Sequence, residues 1–280
     1  MALLAASGIS KSYSARLLFD GVSFEIAPRD KVGLVGVNGC GKTTLFRILT
    51  GEEAPDTGSV MKHKGARMGF MRQNVENTSD TLYQSTVAAF DHLIRIEQEL
   101  ERISEEISNG GSDVSSLISH QQSLNERYER EGGLTFRSRV RSTLLGLGFT
   151  ESEFAKPLSD MSGGERNKAQ LAKLLLSGAE LLLLDEPFSA LDFLTRITMQ
   201  EWLLDQWERD SKTVLFITHD VEEAIFLSGR VLVVEDTPIR RLRSFEVPAP
   251  YPRTRACLTE PRMLELRENL ISLLRREVSE

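Results

Sequence analysis

The stretch "DKVGLVGVNGCGKTTLFRILTG", residues 30–51, is the strongest indication of the fold. Its first part has the apolar pattern of a strand that ends at Gly36, and "TTLFRILTG" has the pattern of a helix closed by Gly51. Between them, residues 36–43 match G-x-x-x-x-G-K-[ST], in which glycines let backbone N–H groups and a helix N-terminus face phosphate oxygens. A plain glycine-rich turn at a helix start is the alternative. The position between a strand and a helix favours a phosphate-binding loop.

The loop predicts specific contacts with a nucleotide, and therefore ATP and Mg²⁺ as cofactors. Lys42 would contact the β- and γ-phosphates, and Thr43 would ligate Mg²⁺. Cys40 stands where a small residue is needed, which we interpret as packing rather than redox chemistry. Besides Lys42 and Thr43, the loop residues expected to bind the nucleotide are Gly36, Asn38, Gly39, Cys40, Gly41 and Thr44.

A second apolar run, "LLLLDE" at 181–186, ends on two adjacent acids. Charge at the end of a buried strand needs a neutralising partner. Beside a phosphate loop, Asp185 would ligate Mg²⁺ and Glu186 would orient or deprotonate the attacking water. Taken alone the pattern is weak, because solvated strand ends also carry acids. Together with the phosphate loop it predicts an ATP-hydrolysing site.

Composition limits where the protein works and what it binds. A net charge of −7 argues against nucleic-acid binding by bulk electrostatics, so no direct DNA binding is expected. The two cysteines, Cys40 and Cys257, fit a reducing cytoplasm better than a disulfide framework. The start lacks a signal-peptide pattern, and no run approaches the roughly 18–20 apolar residues that span a bilayer. Attachment to the inner face of the cell membrane would therefore require a partner.

Strands alternate with helices, which predicts an α/β fold with a largely parallel sheet. From Leu93 onward, apolar residues recur every three or four positions, which is the spacing of one helix face. The same spacing resumes after the turn at 109–113. This predicts an antiparallel helical hairpin whose first arm of about 18 residues is roughly 27 Å long. A final amphipathic helix is expected at about 261–276. The seam of the first arm consists of Leu93, Ile96, Leu100, Ile103 and Ile107.

The motif "MSGGER", residues 161–166, together with the phosphate loop and the 181–186 strand, resembles the ATP-binding-cassette (ABC) ATPases over residues 1–235. Met161 replaces the usual leucine of the family. The resemblance implies a P-loop NTPase with a RecA-like, mainly parallel sheet core, an antiparallel β subdomain and a helical arm. It also implies that Ser162, Gly163 and Gly164 contact the γ-phosphate bound to a second cassette. A plain helix N-cap at Ser162 is the alternative.

Four further positions acquire expected roles from the resemblance. Tyr13 would stack on adenine, although a single tyrosine is also common as a surface or core residue. Gln73 would ligate Mg²⁺, sense the γ-phosphate and contact the working partner. Asp192 in "SALD" would cross to the opposite cassette, and His219 in "ITHD" would contact the γ-phosphate. The expected catalytic residues are thus Glu186, His219, Lys42 and Gln73.

The resemblance also implies partners and a division of the chain. Each nucleotide needs the phosphate loop of one cassette and the signature of another, so a homodimer or heterodimer is expected. We divide the chain at the changes of pattern. The expected segments are 1–87 (phosphate loop and β subdomain), 88–160 (helical arm), 161–236 (signature and the remaining core) and 237–280 (tail with a terminal helix).

The two parts of the chain resemble different branches of the family. Residues 1–186, with the long arm and "LSDMSGGERNKAQLAKLLL", resemble the ribosome-associated ABC-F branch. Residues 186–280, with "TVLFITHDVEEAIFLSGRVLVVED" and "VPAPYPRTR", resemble ATPase subunits of nitrate, sulfonate and taurine importers. An importer ATPase beneath a membrane permease is expected, with the ribosome as the alternative partner and an uncoupled ATPase as a third possibility. Ten acids and four arginines in 91–131 give a net charge of −6, which disfavours rRNA. "RSRVR" at 137–141 fits a solvated helix face better than a phosphate contact.

Overall fold

The computed structural model describes residues 2–13, 16–71, 79–110, 113–235 and 237–278. The chain forms two compact units. The sheet unit comprises Met1–Val75 with Gly178–Glu280, and the helical unit comprises Glu76–Ser177.

A six-stranded sheet forms the centre of the sheet unit. Its order is β5 (Met68–Met71), β6 (Leu181–Asp185), β7 (Thr213–Thr218), β3 (Lys31–Val35), β8 (Arg230–Val234) and β9 (Leu242–Glu246). The first five strands are parallel, and β9 pairs antiparallel with β8. Every position of β6 and β7 is buried, as expected for parallel strands covered on both faces.

Different layers cover the two faces of this sheet. One face packs against α1 (Lys42–Thr50) and a three-stranded antiparallel sheet of β2 (Arg16–Ile26), β1 (Leu4–Tyr13) and β4 (Thr57–Lys62). The other face contacts α7 (Phe193–Asp210), α8 (Val221–Leu227) and α9 (Pro261–Val278). For example, Trp207 of α7 lies 6.0 Å from Phe216 of β7 between ring centroids.

The helical unit contains α2 (Leu82–Val87), α3 (Asp91–Ser108), α4 (Val114–Arg130), α5 (Phe136–Gly146) and α6 (Gly163–Leu176). Helices α3 and α4 form the predicted antiparallel hairpin. Gln121 Nε2 donates to Ser104 Oγ at 2.9 Å, and Tyr128 Oη donates to Glu97 Oε1 at 2.5 Å. Near its base, Phe90 contacts Phe136 with ring centroids 5.3 Å apart.

The structure confirms the predicted α/β class, the parallel sheet and the helical hairpin. The final helix runs to Val278, two residues beyond the expected end. The two units divide the chain differently from the expected segments, because α6 groups with the helical unit whereas the expected segment 161–236 joined it to the remaining core. Within the described ranges, no helix is both long and apolar enough to cross a membrane.

Candidate functional site

The phosphate loop lies between β3 and α1, and two of its glycines are needed for its shape. Gly41 precedes α1 with a φ of 109°, in the left-handed region. A Cβ at Gly36 would lie 2.9 Å from Cβ of Val234 and 3.0 Å from Sγ of Cys40. The loop therefore passes too close to β8 for a side chain at Gly36. The Cys40 side chain is itself only 1% exposed and belongs to the hydrophobic core.

Lys42 directs its ammonium group over the loop. The side chain is 6% exposed, and Nζ donates to the carbonyl oxygens of Gly36 at 2.7 Å and Val37 at 3.0 Å. The N-terminus of α1 faces the same loop and has no acidic residue in its first turn. A cation and the positive end of a helix thus converge where an anion would bind.

Asp185 ends β6 and is buried, with 3% of its surface exposed. Burial raises the pKa of this carboxyl group, and the Thr43 side chain and the Lys42 charge oppose that effect. Its Oδ1 atom has no hydrogen-bond partner among the residues that the structure describes. A buried carboxylate oxygen beside a threonine hydroxyl fits a hard cation with oxygen ligands, so Asp185 and Thr43 suit Mg²⁺.

Glu186 and His219 lie at the carboxyl ends of β6 and β7, which are neighbours in the sheet. The Nδ1 atom of His219 is 3.4 Å from Oε1 of Glu186. Glu186 has a φ of 47°, a conformation that costs a non-glycine residue about 1–2 kcal/mol. Its backbone N–H donates to Ile217 O at 3.0 Å, which ties the strained residue to β7. Strain of this kind is concentrated at functional sites.

An open cleft of about 480 Å³ lies over the phosphate loop. It brings together loop residues from the sequence prediction with Tyr13 at one side and Glu186 at the other. The lining residues are Tyr13, Arg16, Leu18, Asn38, Gly39, Gly41, Lys42, Thr43, Thr44 and Glu186.

Tyr13 ends β1, and the residue is 44% exposed. Its hydroxyl donates to Glu53, which lies just after α1, and this bond is the main reason why the pKa of Tyr13 is raised. Lys11 Nζ is 5.5 Å from the ring centroid and 3.1 Å from Oε1 of Glu53. The ring is therefore oriented by its neighbours and still presents surface to the cleft.

The signature residues begin α6 in the helical unit. Ser162 is the N-cap, because its Oγ accepts from Glu165 N at 3.2 Å, while Glu165 Oε2 accepts from Ser162 N at 2.6 Å. An ion pair with Lys156 at 2.9 Å is the largest cause that lowers the pKa of Glu165, to about 2. Ser162 and Gly163 remain exposed, Gly164 is partly so, and Met161 is buried. The cap geometry therefore leaves the glycine backbone accessible.

Of two other predicted residues, the structure describes Asp192 and does not describe Gln73. Asp192 is the N-cap of α7, where Oδ1 accepts from Thr195 N at 3.1 Å, and hydrogen bonds from Thr195 lower the pKa of Asp192. Gln73 lies outside the described residues.

Sequence reasoning missed Arg16 and Leu18, which line the cleft from β2, and Glu53, which orients Tyr13. Arg16 Nη2 also donates to Gly39 O at 3.3 Å. A basic residue three positions after the aromatic was the only available signal for Arg16. Glu53 gave none, because 40 residues separate it from Tyr13.

Known proteins match this chain over most of its length. Residues 19–189 match the family profile described as ABC transporter. The aliphatic sulfonates import ATP-binding protein SsuB of Mycobacterium sp. (strain MCS) is 32% identical over 254 residues, which cover 91% of this chain and 87% of that protein. ABC transporter F family member 5 of Arabidopsis thaliana is 32% identical over 243 residues, which cover 85% of this chain and 34% of that protein.

A solved structure shares the fold. The dimeric ATP-binding cassette MJ0796, in a post-hydrolysis state bound to ADP and Pi, aligns with a TM-score of 0.60 and 19% identity. The alignment covers 88% of this chain and 100% of that one. The relatives include an importer ATPase and a member of the F branch, which confirms the predicted resemblance to both branches. The chain belongs to the ABC transporter family and is one of its ATP-hydrolysing cassettes.

Proposed function

We propose that the cleft binds ATP with Mg²⁺ and that its residues divide the work of hydrolysis. The Lys42 ammonium and the start of α1 bind the β- and γ-phosphates, and Tyr13 stacks on adenine. Thr43 and Asp185 hold the metal, with the orphaned Asp185 oxygen as the supporting observation. Mg²⁺ held by these two residues would neutralise the negative charge that develops on the phosphates.

Glu186 and His219 act on the water and the γ-phosphate. The Glu186 carboxylate orients the attacking water and accepts its proton. His219 contacts a γ-phosphate oxygen, and the Glu186 carboxylate near its Nδ1 atom orients the ring. Their 3.4 Å contact supports this arrangement.

The working form is a dimer of two cassettes. The exposed start of α6 offers Ser162, Gly163 and Gly164 to a γ-phosphate held by the partner cassette, and Asp192 lies at the same interface. The solved relative that is dimeric supports this assembly. ATP then joins the two cassettes, and hydrolysis separates them.

The cassette is the ATPase subunit of an ABC importer and lies beneath a membrane permease, so this cycle drives the import of a solute. Two observations support this choice. The tail is an integral part of the sheet unit, with β9 paired to β8 and α9 packed on α8, and the match to the import protein SsuB covers 87% of that relative.

The charge of the arm supports the same choice. Three of the four arginines in 91–131 pair with acids of the arm: Arg95 with Asp91 at 2.6 Å, Arg102 with Glu99 at 2.6 Å, and Arg127 with Glu131 at 2.9 Å. In "RSRVR", Arg137 pairs with Glu97 at 2.6 Å and Arg141 with Glu151. Ribosomal RNA would therefore meet neutralised cations and a net negative arm.

A ribosome-associated ATPase is the second candidate. The observation in its favour is the long α3–α4 hairpin, together with 32% identity to an ABC transporter F family member. The two functions predict different sedimentation of a cassette that has ATP bound. An importer ATPase sediments with membranes, and a ribosome-associated ATPase sediments with ribosomes.

The test uses a tagged Glu186→Gln variant, produced in cells of the source organism and separated into membrane, ribosome and soluble fractions. The importer proposal predicts sedimentation with membranes, retained when 104–121 at the end of the arm is replaced by a short Gly-Ser turn. Sedimentation with ribosomes that this replacement abolishes would instead establish the second candidate. A wholly soluble protein would contradict both. Lys42→Ala in the same background is the control for dependence on ATP.

A further inference from the structure

A buried polar chain connects the tail of the sheet unit to the helix that follows His219. Arg255 donates to Oε1 of Gln200 on α7, and Gln200 Nε2 donates to Oε2 of Glu223 on α8 at 2.9 Å. Gln200 is 3% exposed and Glu223 is 5% exposed. Glu223 lines the same small cavity as Glu186 and His219. These hydrogen bonds therefore connect Arg255 to the cavity that Glu186 and His219 line.

The direction of this chain is fixed by chemistry. A guanidinium group only donates hydrogen bonds, so Gln200 must turn its oxygen to Arg255, which leaves its NH₂ group for Glu223. A reversed amide would leave a buried donor facing a donor, which is unfavourable because neither group would then have a hydrogen-bond partner. Arg255 therefore fixes the orientation of the Gln200 amide, and that amide in turn positions the Glu223 carboxyl group.

The tail also closes the other end of α8. Arg253 Nη1 donates to Ile225 O at 3.0 Å and Ser228 O at 2.9 Å, and Tyr251 Oη donates to Leu227 O at 2.8 Å. These bonds satisfy carbonyls that a helix C-terminus leaves without partners. At its start, Asp220 caps α8 by accepting from Glu222 N at 2.8 Å. With seven residues, α8 is too short to be stable by itself, so these anchors define where it lies.

We propose that Arg253 and Arg255 are positioning residues for ATP hydrolysis, because they fix α8 and thereby the His219 that precedes it. The tail is then a built-in support of the catalytic pair, and displacement of 249–255 would slow hydrolysis without removing bound ATP. This inference rests on the roles proposed above for Glu186 and His219.

The test compares full-length Arg255→Gln with the matched control Arg262→Gln, which changes an exposed arginine of α9. Steady-state ATP hydrolysis gives kcat and KM, ATP affinity is measured in the Glu186→Gln background, and thermal melting reports folding. For Arg255→Gln we expect kcat to fall about five- to tenfold with ATP affinity unchanged. The loss of the bond to buried Gln200 should lower the melting temperature but leave the protein folded at the assay temperature. Arg262→Gln should behave as wild type.

Wild-type kcat for Arg255→Gln, or a parallel loss of ATP affinity, would overturn the inference. Tyr251→Phe provides a milder test should Arg255→Gln fail to fold, since it removes only the hydrogen bond to Leu227. It should lower kcat in the same direction, and an unchanged kcat would count against the tail. His219→Ala, assayed in parallel, distinguishes a failure of the proposed catalytic site from a failure of the role proposed for the tail. Full activity there contradicts the proposed site, whereas an inactive His219→Ala beside a normal Arg255→Gln contradicts only the role of the tail.

Discussion

His219 Nδ1 lies 3.4 Å from Glu186 Oε1, across the carboxyl ends of two adjacent parallel strands. This contact joins the two side chains whose motifs, "LLLLDE" and "ITHD", are separated by 33 residues. Glu186 keeps a strained backbone to reach it, with a φ of 47°. The sheet thus brings the residue proposed to activate water and the residue proposed to contact the γ-phosphate together near the loop that begins α1.

Lys42→Ala should abolish ATP binding. The ammonium group is buried over the loop, and its loss removes the cation that faces the phosphates. Isothermal titration with ATP and Mg²⁺ measures the effect, with the exposed Lys64→Ala as the control. Binding at wild-type affinity would show that the loop is not the phosphate site.

Tyr13→Ala should weaken ATP about tenfold, the upper end of what an aromatic stacking contact contributes. Glu53→Gln should weaken it less, because the ring remains and only its anchoring carboxylate is changed. Tripolyphosphate is the control ligand, since it lacks the base. Equal losses for ATP and tripolyphosphate would mean that Tyr13 does not contact adenine.

Much of this site could be predicted from sequence because its parts are local. The loop from Gly36 to Thr43 has fixed spacing, and Asp185 directly follows an apolar strand. By contrast, β4 and β9 carry almost no buried positions, so they lack the apolar alternation by which strands are detected. The bonds of Glu53 and Arg255 join distant segments, and no pattern in the sequence signals them.

The stability of the fold should depend on pH through Glu223. Burial raises the pKa of this carboxyl group from 4.5 to about 7, and Asp220 adds to the effect while Thr218, Arg196 and Gln200 oppose it. Between these values the folded state holds a proton that the unfolded state has released. Stability contributed by this group is therefore present at low pH and is lost as pH rises through about 7.

Denaturant unfolding of wild type and Glu223→Gln measures this dependence. The stability of wild type relative to the variant should fall by on the order of 3 kcal/mol between about pH 5 and pH 8. Glu222→Gln, at an exposed carboxylate of the same helix, is the matched control. A difference that stays constant with pH would mean that Glu223 keeps its ordinary pKa.

Replacement of 104–121 by a short Gly-Ser turn should leave ATP hydrolysis within about twofold of wild type. That segment makes its described contacts along the hairpin, such as the bond between Gln121 and Ser104, and α4 buries no side chain. Surface changes away from a packed core usually alter stability little. A variant that loses hydrolysis or unfolds would show that the end of the arm supports the core.

The oligomeric state of Glu186→Gln tests the shared ATP site most directly. Sedimentation velocity is run on this variant with and without ATP and Mg²⁺, alongside wild type. Because the variant binds ATP and its hydrolysis is expected to slow by a factor of about 100 or more, the ATP-joined pair should accumulate as a stable dimer and return to monomer when ATP is removed. A Glu186→Gln protein that binds ATP but stays monomeric at all concentrations would contradict a site built from two cassettes.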